Sequence, residues 1–73
     1  MSELPRVSGK KVVEALQHVG SRVRRQHGSH IIMRRDNPFA QTVVPAHREL
    51  DWGTLRAILR QASIPVSDFV ALL

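Results

Sequence analysis

The segment RRQHGSHIIMRR, residues 24–35, places two histidines around a Gly-Ser pair with arginines on either side. Imidazole titrates near neutral pH, so it can take a proton from a ribose 2′-hydroxyl or give one to the departing 5′-oxygen. Neighbouring arginines can hold the phosphate and stabilise the negative charge that develops on it. The chemistry of the segment therefore leaves two interpretations equally open: a histidine that cleaves RNA without a metal, and a turn with two uninvolved histidines.

The remaining histidines give little support for a metal site. His27 and His30 have H-x-x-H spacing, but zinc needs three or four N, S or O ligands, and the chain has no cysteine. His47 would be a third ligand, and no acidic residue nearby is an obvious fourth. We therefore expect no metal and no other cofactor. His18 falls on the polar side of the first predicted helix, where a solvated surface histidine is the simpler interpretation.

The charge balance favours a polyanionic partner. Eleven Lys and Arg residues face six Asp and Glu, a formal charge of +5, and nine of the eleven are arginine. The planar guanidinium binds phosphate through two hydrogen bonds, so an Arg-rich basic domain indicates nucleic acid. The residues expected to hold RNA phosphates are Lys10, Lys11, Arg24, Arg25, Arg34 and Arg35. No signal peptide or membrane-length apolar run is recognisable, which favours a cytoplasmic protein.

The elements that must position these residues begin with a helix. Residues 1–73 are predicted to form one domain, with 1–7 as a poorly ordered lead-in and 8–73 folded. A helix is expected from Ser8, its N-cap, to Val19, with Gly20 ending it. Strands are expected at 22–26, 30–35 and 41–45. Gly28-Ser29 fits a type II′ hairpin in which the two flanking histidines face each other, although a longer loop is equally open.

The second half of the sequence predicts helices. The apolar spacing indicates a helix from about Thr54 to Ala62, capped by Asp51 or Thr54. A short last helix is expected with Pro65 in its first turn and with Phe69, Leu72 and Leu73 packing back on the domain. Trp52 is either a core residue or an exposed base-stacking platform, and we expect the core. The order α-β-β-β-α predicts a two-layer α+β domain, with a three-stranded antiparallel sheet and helices on one face.

A family resemblance rests on five segments in order: SGKKVVEAL, RQHGSH, TVVPAH, GTLRAILRQASI and DFVALL. Together they resemble the HicA-type toxins of bacterial toxin–antitoxin pairs, from about Ser8 to Leu73. The chain departs from the family pattern at Ser21, where an aromatic residue is usual, and at His27, where lysine is frequent.

The resemblance implies a fold similar to the double-stranded-RNA-binding domain and activity as an mRNA interferase, a toxin endoribonuclease that stops translation. It implies His30 as the catalytic residue, with Gly28 and Ser29 in the preceding turn and His47 in support. It also implies a HicB-type antitoxin that binds the toxin directly in a hetero-oligomeric complex. The alternative is a non-catalytic module that binds double-stranded RNA by shape over roughly 16 base pairs.

Overall fold

The computed structural model describes residues 4–73 and has the predicted order of elements. These are α1 (Gly9–His18), β1 (Arg22–His27), β2 (His30–Asp36), β3 (Phe39–Pro45), α2 (Trp52–Gln61) and α3 (Val66–Ala71). The prediction of a small α+β domain with a three-stranded antiparallel sheet is confirmed. The largest differences in bounds are at β3 and α2, which each begin two residues earlier than expected.

Helix α1 begins and ends where its capping residues predict. The Ser8 hydroxyl oxygen accepts a hydrogen bond from the Lys11 backbone N–H at 3.1 Å, which satisfies one of the free N–H groups of the first turn. Val12 and Leu16 are fully buried on the side facing the core. Gly20 has φ of +95°, a left-handed conformation that glycine adopts without steric cost, and the chain turns there into β1.

The β1–β2 hairpin has a tight two-residue turn, one of the two alternatives that the sequence left open at the Gly-Ser pair. Its flanking residues, His27 and His30, are cross-strand partners. Gly28 has φ of +56° and Ser29 has a negative φ, the combination that separates type II′ from type I′. A bulge at Arg24 interrupts the register between Val23 and Arg25. The register left open by the sequence is therefore settled at the tip of the hairpin.

Alternation along the strands gives the sheet two different faces. One face lies under the helices and buries Met33, Arg35, Ala40, Thr42 and Val44. The other has no helix packed on it within residues 4–73, and we call it the open face. By register and burial its members are Arg22, Arg25, His27, His30, Ile32, Arg34, Asp36, Phe39, Gln41, Val43 and Pro45.

The segment before α1 belongs to the folded domain. Leu4 is buried in the core, and the Leu50 backbone N–H donates to the Val7 carbonyl at 2.8 Å. Arg6 forms an ion pair with Glu49 at 3.0 Å. The prediction that residues 1–7 form a poorly ordered lead-in is wrong for residues 4–7, because an apolar anchor and a backbone bond hold them. Residues 1–3 lie outside the described part of the chain.

The end of the chain packs largely as expected, but Trp52 does not. Phe69 is fully buried and Leu72 packs against the core, whereas Leu73 is exposed. Trp52 is 49 % exposed, with the Arg6 guanidinium 4.6 Å from its ring centroid. Its predicted core position is wrong because Leu50, two residues earlier, is the side chain that fills the core before α2.

Candidate active site and RNA-binding surface

Three separated segments meet at one corner of the domain. The Ala46 backbone N–H donates to the Ser29 carbonyl at 2.6 Å, joining the end of β3 to the hairpin turn. The Gly9 N–H donates to the His47 carbonyl at 2.9 Å, joining α1 to the same segment. A side chain at Gly9 would collide with the Pro45 carbonyl, so this close approach requires glycine. The SGKK, GSH and PAH motifs are thus neighbours in space.

His30 begins β2 at this corner and belongs to the open face. It is exposed, and its cross-strand partners are His27 on β1 and Pro45 on β3. The Gln26 side-chain amide donates to the Gly28 carbonyl at 2.9 Å and closes the turn before it. The imidazole of His30 is therefore carried by a strand end with a fixed turn, in a position where a phosphodiester can reach it from solvent.

His47 lies in a groove on the opposite, helix-bearing side of the sheet. The groove has a volume of about 510 Å³ and runs between α1, β1 and the segment after β3. Its lining consists of Ser8, Lys10, Val13, Val23, Gln26, Ile31, Ala46, His47 and Arg48. Val23, Gln26 and Ile31 are on the helix side by register, so His47 and His30 are joined through backbone contacts but belong to different faces.

The predicted phosphate-binding arginines have different environments. Arg24, at the bulge, and Arg25, on the open face, are both exposed. Within residues 4–73 neither forms an ion pair. Arg34 already has partners within the protein. Its Nε donates to Asp36 Oδ1 at 2.8 Å, and its guanidinium lies 5.4 Å from the centroid of the Phe39 ring.

Arg35 is a correction to the predicted phosphate-binding set. Its side chain is buried on the helix side of the sheet, where Nε donates to the Pro38 carbonyl at 2.9 Å and Nη2 to the Ala62 carbonyl at 2.8 Å. The guanidinium satisfies two backbone acceptors at chain reversals and is not available to a surface phosphate. Alternation places Arg35 on the face opposite to its neighbour Arg34.

The lysines of α1 also differ from each other. Lys10 lines the groove beside His47 and Arg48, whereas Lys11 lies 3.8 Å from the Glu14 carboxylate. Sequence reasoning missed Arg48, for which adjacency to the PAH motif was the available signal. It also missed Arg22, which belongs to the open face but bonds to Asp36 at 2.9 Å.

Three further observations concern His18, metal binding and membrane-length helices in the described residues. His18 is exposed at the end of α1, as expected for a surface histidine. Within residues 4–73, no group of three His, Asp or Glu side chains lies close enough to hold a metal ion. None of the helices in that range has the length and apolar composition needed to cross a membrane.

A comparison with models of protein families places the chain beside a known family. A family model described as the HicA toxin of bacterial toxin–antitoxin matches residues 9–64, which extend from the start of α1 to just beyond α2. The matched range contains the three segments that meet at the corner of the domain. A comparison with curated proteins gave no match.

Proposed function

The chain belongs to the HicA family of toxins from bacterial toxin–antitoxin systems, and on that premise we propose that it is an mRNA-cleaving endoribonuclease. His30 acts as a general acid or base, and no metal ion takes part. The protein works in the cytoplasm, with mRNA as its substrate. Cleavage stops translation until a HicB-type antitoxin binds the toxin.

The observation that carries the proposal is the position of His30 on the open face. The imidazole is exposed at the start of β2, on a turn fixed by the Ser29–Ala46 hydrogen bond, with Arg25 on the same face. A histidine in reach of a ribose 2′-hydroxyl or 5′-oxygen contributes about 10²–10⁴-fold to a rate. A nearby guanidinium stabilises the charge that builds up on phosphorus.

The basic surface on both sides of the corner supports binding of a single RNA strand. Arg24 and Arg25 lie beside the histidine turn, and Lys10 and Arg48 line the groove behind it. A groove of about 510 Å³ is in the size range of small-molecule sites and has room for a nucleotide. These cations hold the strand while His30 acts at one phosphodiester.

The test compares RNA cleavage by the wild type, His30→Ala and His18→Ala in excess EDTA. His18→Ala removes an exposed histidine from α1 and is the matched control. We expect the wild type and the control to cleave equally, leaving a 2′,3′-cyclic phosphate and a 5′-hydroxyl. His30→Ala should lose about 10²–10⁴-fold in kcat.

Each alternative has its own outcome in this experiment. Equal cleavage by the wild type and His30→Ala would contradict the role of His30, and loss of wild-type cleavage in EDTA would contradict a metal-free reaction. Two parallel measurements address the non-catalytic RNA-binding module: growth of cells that express each variant, and RNA affinity of the purified proteins. A His30→Ala variant that still arrests growth and still binds RNA with wild-type affinity would identify such a module. Binding by such a module would fall steeply with salt.

We extend the proposal to the antitoxin, which covers the open face and so buries His30. Phe39 is 63 % exposed and Val43 44 % exposed on this face, and the half-buried Ile32 lies between its cross-strand partners Val43 and Arg25. Apolar side chains surrounded by cations fit a protein surface that brings its own apolar groups with a rim of carboxylates. The antitoxin and RNA then compete for the same surface.

Co-expression of the antitoxin with Val43→Asp and Val70→Asp variants tests this extension. Val70 is an exposed valine on α3 and serves as the control. We expect Val43→Asp to lose capture of the antitoxin and Val70→Asp to keep it. In the wild-type complex, His30 should be protected from diethyl pyrocarbonate. Full capture by Val43→Asp together with rapid modification of His30 would place the antitoxin elsewhere.

A further inference from the structure

We propose that His27 is a second catalytic residue and that His27 and His30 act as a pair on one phosphodiester. The inference rests on the proposed endoribonuclease function and names the residue that completes its proton transfers. The sequence left this second proton-transfer group open among His47, His27 and an arginine-bound water, and the hairpin register favours His27.

The hairpin register places the two imidazoles side by side. His27 and His30 are direct partners across the two-residue turn, and directly opposed residues on antiparallel strands have Cβ atoms about 4.5–5.5 Å apart. Opposed partners project on the same face, which here is the open one. Two imidazoles at this spacing can contact the two sides of a single phosphate.

The tip that carries the pair is held by two hydrogen bonds and by a suitable backbone conformation at Gly28. Gln26 closes the turn through its bond to the Gly28 carbonyl, and Ala46 binds the Ser29 carbonyl from β3. Gly28 takes the positive φ that the turn requires. Side chains on fixed strand ends are better placed for catalysis than side chains on free loops. His47, by contrast, lines the groove on the other side of the sheet.

The charged groups around the pair are cations. Arg25 shares the open face on β1, Arg24 is at the adjacent bulge, and Pro45 on β3 brings no charge. Asp36 lies at the far end of β2, where it bonds to Arg22 and Arg34. A phosphate at the pair therefore meets guanidinium groups and no carboxylate from the described part of the sheet.

Two histidines are enough to supply both proton transfers of the cleavage reaction. One neutral imidazole takes the proton of the 2′-hydroxyl as the 2′-oxygen forms its bond to phosphorus. The P–O5′ bond breaks, and the second imidazole, protonated at the start, gives its proton to the departing 5′-oxygen. The products are a 2′,3′-cyclic phosphate and a free 5′-hydroxyl, and exchange with water restores the starting protonation.

The test uses two substrates with different leaving groups. A diribonucleotide needs an acid to protonate its 5′-oxygen, whereas the 4-nitrophenyl ester of uridine 3′-phosphate releases a stable phenolate and needs none. We expect His27→Ala and His30→Ala each to lose about 10²–10⁴-fold in kcat on the diribonucleotide. Only the variant lacking the acid should recover on the ester. His18→Ala should match the wild type on both substrates.

The pH profile provides an independent readout. We expect kcat/KM of the wild type to be bell-shaped in pH, with one limb from each histidine, and His27→Ala to keep only one limb. A wild-type kcat and a full bell for His27→Ala, with His30→Ala inactive, would overturn the pair and leave the proposed function standing. If both variants regained their kcat on the ester, or if neither did, the proposal that His27 and His30 act as an acid–base pair would be overturned. Equal cleavage by the wild type and His30→Ala would overturn both proposals. Thermal unfolding shows that each variant is folded.

Discussion

At the scale of single residues, Gly9 sets how closely α1 can approach the end of β3. A Cβ at this position would overlap the Pro45 carbonyl oxygen. This oxygen belongs to the backbone, so it cannot rotate away as the end of a flexible side chain could. We predict that Gly9→Ala lowers the free energy of unfolding in urea by about 1–3 kcal/mol, as overpacking does. That is a large share of the roughly 4–11 kcal/mol expected for a chain of 73 residues.

Gly53 provides the matched control for this prediction. A Cβ there would lie 3.4 Å from Asp51 Oδ1, an ordinary contact at the exposed start of α2. Gly53→Ala should therefore change stability little or raise it, since alanine favours helix. Equal urea midpoints for the two variants would mean that the corner relaxes and that Gly9 is not required for the close approach.

Asp51 gives stability a defined pH dependence. The Thr54 backbone N–H donates to its carboxylate at 2.7 Å, and this bond, with that of the Thr54 hydroxyl, lowers the pKa of Asp51 below 3.8. A lowered pKa in the folded state stabilises the protein above the unfolded pKa, and this stabilisation is lost as pH falls through the folded value. We predict that Asp51→Ala lowers the urea midpoint at pH 7 and that the gap from wild type narrows below about pH 4.

Ser8→Ala is the control for the titration. It removes the equivalent cap of α1, but a hydroxyl does not ionise in this range, so its gap from wild type should stay constant with pH. If the difference in urea midpoint between Asp51→Ala and the wild type also stayed constant down to pH 2, the cap would not depend on the ionised carboxylate.

Residue chemistry alone did not select a site, since it left a catalytic histidine and an uninvolved turn equally open. The family resemblance singled out His30 as the candidate, and Gly28-Ser29 was compatible with a two-residue hairpin as well as with a longer loop. The environments of Arg34 and Arg35 were not available. The two are adjacent and chemically identical, and only the register decides that Arg34 belongs to the open face while Arg35 bonds to the buried Ala62 carbonyl.

At the scale of elements, Arg35 ties the sheet to the helical layer. Its two hydrogen bonds join β2 to the β2–β3 turn and to the end of α2. We predict that Arg35→Gln lowers the free energy of unfolding by about 2–3 kcal/mol, since two bonds from a charged donor are lost and the buried Ala62 carbonyl is left unpaired. Urea unfolding measures the change.

Arg25→Gln separates this structural role from RNA binding. Arg25 is exposed on β1, so its replacement should alter stability by less than about 0.5 kcal/mol while weakening RNA binding. Arg35→Gln, assayed where it remains folded, should bind RNA as the wild type does. The reverse pattern, with Arg35→Gln stable and defective in binding, would contradict the buried contacts.

The elements themselves were largely predictable because local chemistry marks their ends. Ser8, Gly20, Gly28 and Pro65 each stand where a cap or turn requires them. Trp52 was placed wrongly because it begins α2, three residues before Leu55, the first buried residue of that helix. Choosing between Leu50 and Trp52 for the core requires the three-dimensional path of the segment before α2.

At the scale of the whole molecule, the net charge of +5 should make RNA binding depend on salt. Each phosphate contact with a single strand contributes about −0.7 to the slope of log K against log salt concentration. We predict that Lys10→Gln and Arg25→Gln each reduce the magnitude of this slope by about 0.7. The slope is measured by titrating catalytically inactive His30→Ala protein with RNA at several salt concentrations.

Arg60 supplies the control for the salt experiment. It is exposed on α2, outside the groove and the open face, and its replacement by glutamine removes the same unit of charge. Arg60→Gln should leave the slope unchanged. A slope that changed equally for all three variants would indicate attraction to the overall charge rather than to a defined RNA path.

The bulge at Arg24 also bears on whether two copies of this protein can pair through their sheets. β1 is an edge strand with free backbone groups, and such an edge is a template on which a second copy can add its own strand. The bulge interrupts the regular ladder, and Arg22, Arg24 and Arg25 would face the same cations on an incoming copy. The arginines that we propose to hold RNA phosphates would therefore also oppose edge-to-edge pairing between two toxin molecules.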